Sequence, residues 1–482
     1  MVTDHDLNSS FCGIQLKGGQ SASEIFHQVL QQGVEAFPEP FSRLNFPAYA
    51  NQFRKRYVHL VPDFEAARLI SPARNEIAER LANEIHTAFL FDDGKEPEPL
   101  ATYLQRDFSP LPLVDREANS IRFWKPHFTY RHEDWSALDI LAEELLNRDV
   151  ISLGAAQALI WLQENLVKAG TINLSDRRIV VLGANAEMAS TRQFLEAGAD
   201  VLWLDKVPPL RGLIDSPTRA GRLTWTEHAD LLNQPGEILA TIIAFAANEP
   251  VDLCLYAYAP GQARELKLTT AMNAIANALP EELIRSITLL LSPTTATPIQ
   301  ETDINAMQSR RDHRPAWEAL LAGSGLLGAV GGSSGDTDIA ATRSLVGIQG
   351  TSYQAAQYLG KQITAECWAT TGQIGKPVSK PIRVSANTAA ITKTRSMDHP
   401  VFDAAFDGAA AFQVETFTPD QSRCLNGLLT VHDWIHPQPP SPASIRVHGG
   451  IHTLPYPLES ALRIAAAIGF VRSPGLLRGL FR

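Results

Sequence analysis

Cysteine is scarce: four in 482 residues, Cys12, Cys254, Cys367 and Cys424, far apart and never paired as C-x-x-C. That excludes a disulfide framework and offers no zinc-ligand spacing, so reduced thiols in a cytoplasmic compartment are expected. Long apolar runs are also missing. Nowhere do eighteen apolar residues follow one another, and the opening MVTDHDLNSSF has neither the basic start nor the apolar stretch of a signal peptide, so a soluble chain is expected. No basic stripe dominates: 42 Lys and Arg stand against 52 Asp and Glu, a net charge of −10, which argues against nucleic acid as a partner. Four histidines, His432, His436, His448 and His452, lack accompanying paired carboxylates. Pro437 is also placed to end a helix carrying the first pair, so no metal site is expected.

The composition is globular, 45% hydrophobic and 20% charged, with chain enough for two domains or one domain with a large extension. Residues 1–135 read as an N-terminal extension of mixed, mainly helical character. Its helical patterns, ASEIFHQVLQQGVEAF and ARNEIAERLANEIHTAFLF, alternate with proline-rich pieces and carry no recognisable chemistry. Residues 136–440 read differently. RIVVLGANAEMASTRQFLEAGADVLWLDK is an apolar run, a glycine, a small-residue turn, a helix, Gly198 and a second apolar run ending at Asp205, a β-α-β unit. VDLCLYAYA and ITLLLS repeat the continuous apolar signature of strands buried on both faces. The expected fold is α/β, a doubly wound parallel sheet (Rossmann-like), with an insertion at 300–346. Residues 441–482 form a basic apolar tail with no acid after Glu459 and with Arg463, Arg472, Arg478 and Arg482 among apolar residues. Such a tail either packs on the sheet or makes a peripheral contact with an anionic membrane, and the latter would suit a lipid-like substrate.

The first turn of a dinucleotide-binding sheet needs small residues because the backbone approaches a pyrophosphate. Here it is Gly183, Ala184, Asn185, Ala186, Glu187, Met188, Ala189, a G-x-x-G-x-x-G spacing with alanine at the second and third glycines. Asp205, 22 positions on, ends the next strand, where a carboxylate can bind ribose hydroxyls and repel a 2′-phosphate, so NAD is favoured over NADP. Lys206 and Arg211 stand close enough to weaken that preference, and the acidic Glu187 inside the turn speaks against a phosphate. A β-α-β unit that binds no nucleotide is the alternative.

Four further segments follow in order: VDLCLYAYAPG, SITLLLSPTTATPI, SYQAAQYLGKQITAECWAT and PIRVSANTAAITKT. In this order the chain resembles, over roughly residues 176–400, the short-chain dehydrogenase/reductase superfamily. There such segments are a cofactor-loop strand, a strand carrying a catalytic serine, a helix with Tyr-x-x-x-Lys and a loop with a threonine. The resemblance implies an NAD(P)-dependent oxidoreductase acting on a carbonyl or alcohol, or on an enoyl-type double bond, of a small-molecule or lipid-like substrate. It implies Tyr353 as proton donor, Lys361 tuning it, Ser292 (or Thr294 and Thr295 beside it) steadying the substrate oxygen, and Asn273 as the helix asparagine. Ala257, Tyr258 and Ala259 would line the cofactor, Thr394 would meet the nicotinamide amide, and a homodimer would pair through the tyrosine helix.

The match has departures. Gln357 stands four residues after Tyr353, and the lysine comes only at 361, about 12 Å along an ideal helix. Three readings stay open: Tyr353 served by a displaced Lys361, Tyr358 paired with Lys361, or a site without its lysine. The third would make the chain a non-catalytic binding or scaffolding protein. Within the insertion, Arg310, Arg311, His313 and Arg314 either clamp an acidic group or form a solvated face, and GGSSGD reads as a loop rather than a phosphate cradle.

Overall fold

A computed structural model describes residues 12–167, 170–261, 263–328, 330, 340–376, 379–441 and 446–476. Strands β1 (Gly13–Leu16), β2 (Phe89–Asp92) and β3 (Glu98–Pro99) form a small antiparallel sheet. Strand β4 (Val114–Arg116) belongs to the central sheet, and β5 (Phe128–Tyr130) and β6 (Glu133–Trp135) make a hairpin. The rest of the central sheet is β7 (Arg178–Leu182), β8 (Asp200–Leu204), β9 (Leu223–Trp225), β10 (Val251–Leu255), β11 (Ile284–Leu291) and β12 (Val384–Thr388). Its order is β12-β11-β10-β7-β8-β9-β4, parallel throughout except that β4 runs against β9.

The apolar runs become strands because both faces of the sheet are covered. Val180, Leu182, Leu202 and Leu204 join one hydrophobic cluster, while Ile179, Val181, Val201 and Trp203 join another on the opposite face. The first cluster runs from Ile14 to Leu104 and on through Leu253 and Ile287, so the N-terminal helices share a core with the sheet. The extension therefore has no separate interior, and β4 carries it into the sheet.

Three N-terminal helices, Ala22–Ala36, Ala50–Leu69 and Arg74–Thr87, lie near or against the helix that contains Tyr353. That helix runs unbroken through Gly350–Ala355, a π-helical stretch Ala356–Ile363, and Thr364–Thr371. An ionic knot with a buried Arg68–Glu65–Glu366 core fastens the two parts. Arg68 donates to Glu65 and Glu366 at 2.8 Å each, Arg74 donates to Glu366 at 2.6 Å, and Gln362 donates to Glu65 at 2.8 Å. The Tyr358 hydroxyl donates to Glu65 at 2.6 Å, which removes Tyr358 as a partner for Lys361 in proton transfer. Tyr358, Leu359, Ile363 and Trp368 are wholly buried by the chain's own helices. Pairing of two copies through this helix, the expected dimer contact, finds its face already covered.

At the C-terminal side, helix Leu458–Arg472 packs on helix Pro400–Ala409. A Cβ on Gly408 would lie 1.9 Å from the carbonyl oxygen of Ala465, and one on Gly469 would lie 1.8 Å from that of Ala404. Arg463 pairs with Glu459, and Arg472 donates to the Asp407 carbonyl, so this part of the tail is a packed helix. Arg478 and Arg482 lie outside the described residues, as does GGSSGD of the insertion. Gly408→Ala is expected to cost about 1–3 kcal/mol through overpacking, read as a lowered thermal midpoint. An unchanged midpoint would mean that the helix pair adjusts freely. Among the described residues no helix is long and apolar enough to cross a membrane.

Candidate functional site

The chain runs from β7 outward to β9, then returns to β10 on the other side of β7, so loops leaving β7 and β10 diverge. A cavity of about 1070 Å³ lies at these C-terminal strand ends, walled by residues 184–189, Tyr256, Tyr258, Ser292, Thr294, Tyr353, Gln357, Lys361 and Thr394. Gly183 has φ +82°, and a Cβ there would fall 2.3 Å from the Ala257 Cα, so only glycine lets the two strand ends approach. Ala257 backs the turn in this way and is not on the cavity wall. After Gly183 the chain makes two successive turns, with Ala186 N–H to the Gly183 carbonyl at 3.0 Å and Ala189 N–H to that of Ala186 at 2.9 Å. The helix expected to open at the glycine begins only at Thr191 and ends at Glu196.

Asp205 does not face the cavity as expected. Its carboxylate accepts the Asn185 N–H at 3.0 Å and the Val207 N–H at 3.3 Å, and burial raises its pKa against those bonds. It ties the end of β8 to the turn. Lys206 leaves the site as well, pairing with Asp230 at 2.8 Å. The basic groups at this end are ones the spacing did not single out: Arg192, Arg395 and Arg423 on the cavity wall. Arg423 donates to the Glu187 carbonyl at 2.7 Å and pairs with Asp420, while the Glu187 carboxylate accepts the Arg395 N–H at 3.1 Å. Glu187 is thus occupied by the 391–395 loop. Among the described residues no acid pairs with Arg192 or with the Arg395 guanidinium.

At the centre stand the hydroxyls. Ser292 follows β11, with its Oγ 2.7 Å from Thr294 Oγ1, which in turn donates to Gln349 at 2.7 Å. Thr295 is fully buried and faces away. Desolvation pushes the Tyr353 phenol well above its ordinary value; the neighbouring Ser292 hydroxyl works against this, and the charges of Glu265 and Tyr258 add to it. Tyr258 meets Tyr353 edge-on at 6.4 Å between ring centroids. From behind, the buried His452 ring bonds the Pro293 carbonyl at 2.9 Å and so fixes the loop that carries Ser292.

Lys361 takes a different post from the one expected. Its ammonium lies 3.4 Å from Glu265 and donates to the Leu290 carbonyl at 3.2 Å, and it is not among the charges that act on Tyr353. Gln357 and Lys361, four residues apart, lie on the same side of the helix, where both reach Glu265 Oε1. Gln357 also accepts the Ser292 N–H at 2.9 Å, and Glu265 accepts the Ala259 N–H at 3.3 Å. Burial raises Glu265, with Lys361 opposing. Glu265 therefore joins the β10 loop, the lysine and the serine strand. An acid in the first turn of a helix is ordinary capping chemistry, so nothing in the sequence marked it.

Asn273 also has a structural post: its side chain donates to the Gly360 carbonyl at 2.7 Å, away from the cavity. Thr394 lines the cavity as expected. Arg310 is spent on the carbonyls of Gly450 and Phe412 and on Thr453, so it clamps no ligand here. His432 and His436 pack edge-on against Trp161. Among the described residues no group of three or more metal-ligating side chains comes together. No protein-family model matches the chain, and no curated protein matches it.

Proposed function

We propose that the chain is an NAD(P)-dependent oxidoreductase, similar in plan to short-chain dehydrogenases/reductases, that reduces a carbonyl or an enoyl-type double bond. The observation that carries this reading is the placing of Tyr353 and Ser292 as neighbours on the wall of a crevice where the strand order reverses. Numbered along the chain, the parallel strands stand in the order 3-2-1-4-5-6, with β7 as the first, and ligands of such doubly wound sheets sit at that reversal. The residues present suit a dinucleotide. The turn after β7 forms one wall, and Arg192 and the Arg395 guanidinium, without acid partners among the described residues, stand beside it to receive phosphates. With Asp205 held by Asn185 and Val207 and absent from the cavity wall, its hold on ribose hydroxyls is lost and the preference for NAD weakens, so either cofactor is admitted.

A bound dihydronicotinamide would supply a hydride, two electrons and one hydrogen, to the substrate carbon. The residues handle the oxygen. Ser292 donates a hydrogen bond to it as charge builds, and Tyr353 delivers the proton that completes the alcohol, or, after hydride addition to an enoyl β-carbon, the enol that then tautomerises to the saturated carbonyl compound; either way a phenolate is left that solvent reprotonates. Gln357 and Glu265 hold the serine strand and the β10 loop in place, acting as positioning residues.

The second reading is a non-catalytic binding module. It is favoured by Gln357 in the lysine's place and by the engagement of Lys361 with Glu265, which draws that cation to the acid rather than to the Tyr353 phenol. The two readings separate by turnover. Consumption of reduced nicotinamide that requires an added aldehyde, ketone or 2-enone is expected for the enzyme. Cofactor bound but unconsumed across the whole panel would favour the module.

A further inference from the structure

The charged side chains on the cavity wall are not distributed evenly. Glu187, Arg192, Arg395, Asp420 and Arg423 belong to the turn end, and Lys361 lies beneath the hydroxyls. The part of the wall formed by helices Pro400–Ala409 and Leu458–Arg472 is an apolar lobe among the described residues. One side is a face of helix Pro400–Ala409, recurring at three- and four-residue steps from Phe402 through Phe406 to Ala409. The other is the corresponding face of helix Leu458–Arg472, from Leu458 through Leu462 to Ala465. Phe412 and Leu454 add to it. Each face covers seven helical steps, about 10 Å at 1.5 Å per residue. The two helices are locked against each other at backbone contact distance by Gly408 and Gly469, so together they form one continuous apolar wall of fixed shape.

We infer that this lobe takes an unbranched apolar chain joined to the reacting carbonyl or enoyl group, making the substrate a medium- or long-chain acyl or alkyl compound. The inference rests on the proposed reaction for its orientation. A charged or sugar-like group would be desolvated there without a partner, whereas an alkyl chain gains by burial. The chain runs outward from the atom that meets Ser292 and Tyr353, with the cofactor on the other side of the hydroxyls. No further covalent step is required.

The test uses the full-length protein and a homologous series of straight-chain 3-oxo and 2-enoyl esters, together with direct binding of a dansylated fatty acid followed by its fluorescence. With about 0.8 kcal/mol per buried methylene, kcat/KM is expected to rise about fourfold per added carbon and then level off once the chain outgrows the lobe. Leu462→Phe is expected to move the levelling point to shorter chains and Phe406→Ala to longer ones; having both guards against one variant failing to fold. A flat chain-length profile with no binding of the fatty-acid probe would overturn the lobe assignment while leaving the oxidoreductase reading standing. Probe binding that responds to both variants, with neither dinucleotide binding nor turnover, would uphold the lobe and sink the reaction.

Discussion

Tyr353→Phe is expected to lower kcat by about 10²- to 10⁴-fold at saturating cofactor, with the dinucleotide Kd little changed, because only the proton-delivering hydroxyl is removed. The ring and its edge-on contact with Tyr258 remain, so the cavity keeps its shape. In the wild type, desolvation and the Glu265 charge hold the phenol protonated across the physiological range, which suits reduction rather than oxidation. A rate within about twofold of wild type would remove Tyr353 from the chemistry and leave it as a wall residue. Measuring kcat and cofactor Kd on the same preparation separates these outcomes.

The second large effect concerns the join between the N-terminal helices and the tyrosine helix. Arg68→Met leaves Glu65 and Glu366 buried with their main counter-charge gone, an expected loss of about 3–5 kcal/mol in denaturant unfolding. Burial alone would raise the Glu366 pKa, but Arg68 and Arg74 hold it down at about 2. A carboxyl depressed from an ordinary 4.5 contributes stability that is fully present above pH 4.5 and is lost as pH falls towards 2, about 3 kcal/mol in all. The variant's deficit should therefore be largest near neutrality and shrink below pH 4.5. A deficit independent of pH would mean that Arg68 acts through packing alone. Because Tyr358 and Gln362 bond Glu65 from the tyrosine helix, the same variant is expected to loosen Tyr353.

The central strands were legible because each is a continuous apolar run, a pattern that burial on both faces demands. The runs in RIVVL, DVLWL, VDLCLYAYA and ITLLLS each fall on a strand of the one sheet, the third strand ending earlier than its run, at Leu255, and the fourth beginning earlier, at Ile284. β4 and β9 were not legible, being three residues each and defined by their pairing. The site was legible in its hydroxyls and not in its charges. Ser292 and Tyr353 come from the ends of separate elements and both line the one cavity. The displaced lysine was misjudged because its partner comes from another helix: Lys361 and Gln357 share a helix face that meets Glu265. Asp205 was misjudged because a carboxylate at a strand end satisfies a turn N–H as readily as a ribose. Arg192, Arg395 and Arg423 come from three distant segments, and only the fold brings them to one wall.

The most direct test is a titration of the purified chain with NADH and with NADPH, followed by nicotinamide fluorescence, beside an Arg192→Ala, Arg395→Ala double variant. Saturable binding of at least one cofactor at one site per chain, weakened about tenfold or more in the variant, is the predicted result. A folded protein that binds neither would contradict the account at its centre.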